Sequence, residues 1–181
     1  MITNRQLKEF RQRAVEYTDK AGIILTAKEK SAIEIADFGL GRPERIGLEI
    51  IVYINTKRCC AKELVLFPGQ ICAEHRHPAI AADPGKEETF RCRWGRVCLY
   101  VPGPPTDNPR AILPDNEGQY FTVRHEIVLD PGDQYTLAPD TLHWFQGGPE
   151  GAVVSEFSTS SRDESDYFTD PRIKRITKVG G

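Results

Sequence analysis

From Pro43 onward the chain is cut into short runs of β-branched and aromatic residues separated by Gly and Pro, and this punctuation limits its folds more than any other feature. The runs span residues 46–53, 61–67, 89–94, 96–101, 120–129, 134–137 and 152–158. Branched and aromatic side chains fit a pleated surface, and the turn residues between them leave no room for crossover helices. Many short strands in succession predict a closed antiparallel barrel or jelly roll rather than a βαβ sheet. Residues 103–118 read as a surface loop between two halves of that barrel, with five prolines when Pro102 is counted.

The first forty residues have a different period. Leu7, Phe10, Ala14 and Tyr17 recur at helical spacing among charged residues, Thr3 with Gln6 matches a capping box, and Gly22 ends the pattern. Thr26 with Glu29 repeats the capping signal before Ala32, Ile33 and Ile35, so a second short helix is expected to close near Gly39. The expected organisation is one domain over 1–181, with a helical arm at 1–40, a barrel at 46–160 and a C-terminal segment at 161–181. By composition alone, the Ser-, Asp- and Glu-rich stretch 158–166 is a solvated loop.

Composition excludes several classes. A chain of 181 residues supports one core, and 24 Lys plus Arg against 26 Asp plus Glu leave no basic excess for nucleic acid. No run approaches the ~20 apolar residues of a membrane span, and the N-terminus opens on charged residues without a signal core, so a cytoplasmic protein is expected. The five cysteines, Cys59, Cys60, Cys72, Cys92 and Cys98, contain no C-x-x-C and read as reduced thiols in the core or at an interface.

The chemistry concentrates on histidine. Two of the four histidines form His75-Arg76-His77, which places both rings on one face of an extended segment. His143 follows the turn at Pro139, and Glu88 begins the run after the HxH loop; three imidazoles and a carboxylate suit Mn, Fe, Co, Ni or Zn. Taken alone, H-x-H is as readily a solvated pair on a loop. His125 shares a face with Val123, Ile127 and Leu129 and reads as structural, Trp144 and Phe145 as barrel packing with one of them free to line a pocket, and Trp94 beside Gly95 as hairpin packing.

Gly69, His75-x-His77, Glu88 and Gly95, followed by Gly132, Pro139 and His143, resemble the two motifs of the cupin superfamily. Two departures are visible: ten residues separate His77 from Glu88 where cupins usually have three or four, and Pro139 lies one place late. A loop of that length closes at small entropic cost, and either Glu87 or Glu88 can then return to the pocket, with the spacing to Gly95 favouring Glu88. The stretch Cys60-Ala61-Lys62-Glu63-Leu64-Val65-Leu66, then Gly69-Gln70, Glu74-His75-Arg76-His77-Pro78, Lys86-Glu87-Glu88 and Glu156 before Ser158-Thr159, is similar to the D-lyxose ketol-isomerase family of cupins. That resemblance implies a mainly β cupin double-stranded β-helix (a jelly-roll barrel) with two N-terminal α-helices. It also implies a divalent metal, most often Mn(2+), held by His75, His77, Glu88 and His143, and a sugar surrounded by Lys62, Lys86 and Glu156.

The residues support these positions in part. Lys62 alternates with Leu64 and Leu66 and so faces a core, unless it sits at a strand end and reaches solvent. Lys86 shares a face with Glu88, or belongs to an ordinary charged loop; Glu156 alternates with Val154 and Ser158, as a buried base or an edge-strand charge. The expected activity is interconversion of D-lyxose and D-xylulose, and of D-mannose and D-fructose, by proton transfer or hydride shift. An Fe(II) dioxygenase has the same metal ligands but no use for the lysines; a non-catalytic sugar-binding cupin is the other alternative. Fold analogy adds a homodimer, whose partner covers exposed sheet edges.

Overall fold

The computed structural model describes residues 1–180. Its elements run β1 (Ile2–Thr3), α1 (Asn4–Lys20), α2 (Ala27–Ala32), β2 (Glu34–Ala36), β3 (Leu48–Asn55), β4 (Cys60–Leu66), β5 (Ile71–Arg76), β6 (Glu88–Val101), β7 (His125–Leu129), β8 (Gln134–Leu137), β9 (His143–Ser158), β10 (Tyr167–Phe168) and β11 (Val179–Gly180). One face of the curled sheet runs β2-β3-β4-β9-β6-β8 and the other β10-β5-β9-β6-β7, so the long strands β6 and β9 belong to both. The fold is the expected cupin double-stranded β-helix. The long loop between β6 and β7 is mostly exposed, as its prolines predict.

The strands bend where Gly95 and Gly151 oppose each other. Register shifts between Cys92 and Trp94 and between Gly95 and Val97 break the β6–β9 ladder. Gly95 has φ +72°, and a Cβ there would lie 2.2 Å from the Gly151 carbonyl oxygen. Glycine therefore carries the strand through a bulge that any side chain would block. This corrects the expected hairpin: residues 89–94 and 96–101 are one continuous strand. Trp94 packs not on a hairpin partner but against Tyr17 of α1, ring centroids 5.4 Å apart.

Other boundaries also moved. The second helix stops at Ala32, because Ile33 leaves the helical region and Glu34–Ala36 pairs antiparallel with Leu48–Ile50. Sheet hydrogen bonding at that edge, with Ile33 and Ile35 buried, outweighs a short helix that buries none of its own residues. Residues 143–151 extend the last strand backward, while the run expected over 120–129 is a strand only from His125 to Leu129, Tyr120 closing a 3-10 turn that starts at Gly118. The strand Ile71–Arg76 was not among the expected runs, since its Cys, Ala, Glu, His and Arg do not alternate in polarity. The stretch 158–166 is not simply solvated either: Ser161 is buried and the Asp166 side chain is only 6% exposed.

Two cores flank the sheet. The inner one includes Leu64, Leu66, Phe90, Leu99, Trp144 and Phe145. The outer one forms where Phe10, Ala14 and Tyr17 of α1 cover Ile51, Val65, Phe67 and Val153, and each large apolar side chain so buried contributes roughly 1.5–3 kcal/mol. Both capping boxes are present, Thr3 with Gln6 and Thr26 with Glu29. Four cysteines are buried, Cys59 is exposed, and all five are free. Among the described residues no helix is long and apolar enough to cross a membrane.

Glu49 lies on the outer face beneath α1, fully buried, with one oxygen accepting from Gln70 Nε2 at 3.0 Å and the other without a partner. Burial raises its carboxyl to about 8, against smaller opposing contributions from Gln70 and Arg13. The folded state therefore binds a proton that the unfolded chain releases near the ordinary carboxylate value. Stability is full below that value and declines as pH rises through about 8. Thermal melts from pH 5 to 9 should show Tm falling with pH in the parent chain and a flatter profile in Glu49→Gln; parallel profiles would refute this account.

Candidate active site

Three paired strands, β5, β9 and β6, set the site's walls. His75 pairs with His143 across β5 and β9, and Glu88 and Phe90 of β6 pair with Ser158 and Glu156 of β9. Inward-facing positions on these strands converge in a cavity at one end of the barrel. Lys62, His75, His77, Lys86, Glu88 and Glu156 line it, among Leu48, Ile50, Leu64, Phe90 and Phe145. All seven expected site residues are buried, Lys62 at 4% exposure and Glu88 at 2%. Phe145 is the aromatic that lines the cavity; Trp144 stacks on Tyr100 instead, and His125 lies on another strand with its Nδ1 at the Pro104 carbonyl.

The three rings are held with one nitrogen outward and one inward. His75 Nδ1 donates to the Ala73 carbonyl at 2.8 Å and His143 Nδ1 to the Thr141 carbonyl at 2.9 Å, while His77 Nδ1 meets Asp166. In a neutral ring so engaged, Nε2 carries a lone pair. The imidazole ligand atoms lie within 4.8 Å of one another. Glu88 Oε1 sits 3.2 Å from His143 Nε2 and 3.3 Å from His77 Nε2, and all three atoms are buried without a hydrogen-bond partner.

Lone pairs facing each other in a dry interior repel, and four such donors around one point are the arrangement that a cation relieves. Their spacing is close to the roughly 3 Å between neighbouring ligand atoms around an ion with bonds of about 2.1 Å. The donor set thus fits a divalent metal. Glu87, the alternative carboxylate, has an exposed side chain; its backbone N–H bonds Thr159 Oγ1 at 3.2 Å, and that backbone pairing turns Glu88 inward.

Beside the donors lies a cluster of buried charge. Lys86 Nζ bridges Glu88 Oε2 at 2.7 Å and Glu156 Oε1 at 2.9 Å. Burial alone would lower its pKa, but the two carboxylates raise it above the ordinary lysine value. Burial likewise opposes ionisation of Glu88, and Lys86 with His77 and His143 overcomes it, holding the carboxyl well below its usual range. Lys62 Nζ bonds Ser161 Oγ at 2.9 Å and Asp163 at 3.1 Å, and stands 3.9 Å from Glu156 Oε1. Every one of these contacts to Glu156 uses Oε1; among the described residues its Oε2 takes none.

Sequence reasoning missed the contribution of the C-terminal segment. Asp163, Asp166, Phe168 and Arg175 all line the cavity. Arg175 bonds Asp163 Oδ2 at 2.9 Å, and Phe168 stacks near His75 with ring centroids 5.5 Å apart. Nothing in a polar stretch of Ser, Asp and Arg marks it as buried, because its counter-charges come from residues a hundred positions earlier.

Known proteins resemble this chain along nearly its whole length. A "D-lyxose ketol-isomerase" of Thermofilum sp. (strain ex4484_79) is 60% identical over 179 residues, 99% of each chain. The chain belongs to the D-lyxose isomerase family. The family model for D-lyxose isomerase matches residues 102–180. A "D-lyxose/D-mannose isomerase" of Thermosediminibacter oceani is 59% identical, again over 99% of each chain. Among solved structures, the ligand-free L-ribose isomerase of Cellulomonas parahominis superposes with TM-score 0.79 at 18% identity, covering 94% of each chain. A mutant L-ribose isomerase of Acinetobacter sp. DL28 in complex with L-ribose gives 0.83 at 17% identity, covering 99% of this chain and 98% of that one. At such identities these two speak for the fold alone.

The donor set makes a direct prediction. His75→Ala, His77→Ala, His143→Ala and Glu88→Gln should each lower bound divalent metal, measured by elemental analysis of the purified protein, because each removes one donor from a set of four. Glu87→Gln should retain it. Loss of metal in the Glu87 variant with retention in the Glu88 variant would show that the loop register is wrong.

Proposed function

We propose that this chain is a metal-dependent aldose–ketose isomerase that interconverts D-lyxose and D-xylulose, and accepts D-mannose, which shares the configuration of D-lyxose at C2, C3 and C4. The observation that carries the reading is the adjacency of a four-donor metal site to a buried carboxylate–lysine pair, Glu156 and Lys86, in one cavity. Relatives near 60% identity with matching names support the substrate class.

The reaction moves the carbonyl from C1 to C2. The C2–H proton leaves, the C1=C2 enediol forms, and a proton arrives at C1 while the O2 hydrogen passes to O1. A divalent ion held by His75, His77, His143 and Glu88 would supply a Lewis acid that lowers the cost of negative charge developing on the sugar oxygens. We assign Glu156 as the base: Oε1 is occupied by Lys86, Lys62 and Ser158, which fixes the carboxylate, and Oε2 is left for the substrate. Protonated on Oε2, Glu156 then returns the proton to C1 from the same face.

Lys86 ties Glu156 to Glu88 and helps hold the Glu88 carboxyl below its usual range; Lys62 brings a second ammonium for negative charge on the enediolate. Apolar walls from Leu48, Ile50, Leu64, Phe90 and Phe145 exclude water and strengthen these interactions. An Fe(II) dioxygenase gives these lysines no task, which favours the isomerase.

Manganese is the proposed ion: the three imidazoles and one carboxylate suit it among the divalent metals and would leave positions for sugar oxygens on an octahedral ion. The free thiols fit a reducing cytoplasm. A homodimer is the proposed assembly, tested by sedimentation of a particle of about twice 20.4 kDa at micromolar concentration.

Two variants test the catalytic roles. Glu156→Gln preserves shape but cannot accept a carbon-bound proton, so metal content should hold while kcat on D-lyxose falls by roughly 100-fold or more. Lys62→Met should lower kcat more than it raises KM, because charge on the sugar peaks in the transition state. Near-normal turnover in both, with metal bound, would remove these roles. Solvent deuterium at C2 of recovered D-lyxose is the expected signature of proton transfer.

A further inference from the structure

The three histidines are not anchored alike. His75 and His143 lean on carbonyls two residues behind them, Ala73 and Thr141, so their own strands set their orientation. His77 instead meets Asp166, 89 positions later in the chain, with Nδ1 and Oδ1 2.5 Å apart. Asp166 belongs to the segment after β9, outside the barrel proper, and its side chain is more buried than the ring it holds.

That segment docks over the cavity mouth through polar contacts. Ser161 exchanges hydrogen bonds with Asn55, Asp163 meets Lys62, Arg175 donates to Glu34, Thr169 donates to Glu74 at 2.6 Å, and Thr177 donates to Asp37 at 2.9 Å. Its strand pairing is brief: Tyr167 and Phe168 join the main sheet against Arg76 and His75, and Val179–Gly180 run parallel to Ile2–Thr3. Its apolar anchors are Phe168 and Ile173. A segment held this way has little stability of its own, so one buried, charge-assisted bond can bias its docking.

We infer that Asp166 is a positioning residue of the metal centre, and that through it metal binding and docking of residues 161–180 are a single coupled equilibrium. The carboxylate keeps the His77 Nδ1–H outward and so aims Nε2 at the donor cluster; with the segment undocked, that ring is free to turn. Coupling of this kind is reciprocal: the factor by which docking tightens metal binding is the factor by which metal tightens docking. The same segment brings Asp163, Phe168 and Arg175 to the cavity, so the metal-loaded state is also the one with a complete wall. The inference rests on the reading of His77 as a ligand.

The test uses Mn(2+) titrated into the metal-stripped full chain, with free ion read by electron paramagnetic resonance. Asp166→Asn should bind about 10–100-fold more weakly, the usual cost of removing a carboxylate that orients a metal-bound histidine. Asp166→Glu should recover most of that loss, and Glu164→Gln, exposed in the same segment, should bind as the parent does.

The second readout is limited proteolysis within 161–180. Mn(2+) should slow cleavage of the parent and of Asp166→Glu, and lose that effect in Asp166→Asn. Unchanged affinity in Asp166→Asn, or Mn(2+) protection of the segment that survives the substitution, overturns the inference. His77→Ala separates the two readings: parent-like binding there would refute His77 as a ligand, whereas lost binding there with parent-like Asp166→Asn refutes only the positioning role.

Discussion

The pairing of β6 with β9 is the interaction on which the rest of this molecule depends. These two strands are the longest in the fold and run together through both faces of the sheet. A bend at Gly95 opposite Gly151 is what lets a single ladder do this, and it forces the strand ends to meet over one end of the barrel. Glu88 sits at one end of β6, and β9 carries His143 at its start and Glu156 near its finish. A one-residue slip in that ladder would turn Glu88, His143 and Glu156 to the opposite face together. The same bend exposes the outer surface that α1 covers, so helix packing and site geometry share one cause.

Burying so much charge is costly, and its arrangement accounts for why the cost is borne. Lys62, Lys86 and Arg175 face Glu88, Glu156, Asp163 and Asp166, three cations against four carboxylates. Taking any one partner away strands a charge in low dielectric, which costs more than an exposed pair ever returns. Such a cluster adds little net stability. It fixes side-chain positions, and the surplus of negative charge together with inward lone pairs favours a cation at the centre.

Much of this was legible in the chain. Period-two runs, punctuating glycines and capping boxes fix a helical arm and a barrel, since each depends on residues only a few positions apart. The HxH pair, Lys62 with its alternating leucines, and Glu156 beside Val154 offered inward-facing polar groups in the same local way, each with a solvent-facing alternative that only the family resemblance weighed against. Less legible were elements whose partners are remote. Residues 34–36 follow a good helix signal but lie along β3, and Ile71–Arg76 is a strand by its neighbours rather than by its own composition.

The C-terminal segment shows the boundary most sharply. Alternation and turn chemistry act over two to four residues, so the sequence by itself determined the barrel and the helical arm. It also left two adjacent glutamates open, and the backbone pairing at Glu87 and Thr159 decided between them by turning Glu88 inward. The stretch 161–175 reads as solvated because its Ser, Asp and Arg carry no apolar pattern. Only the tertiary structure supplies the counter-charges, Lys62 for Asp163 and His77 for Asp166, that make their burial tolerable. Hydrophobic periodicity is written locally along a chain, whereas the desolvation of a charge is balanced only by whatever the fold places against it.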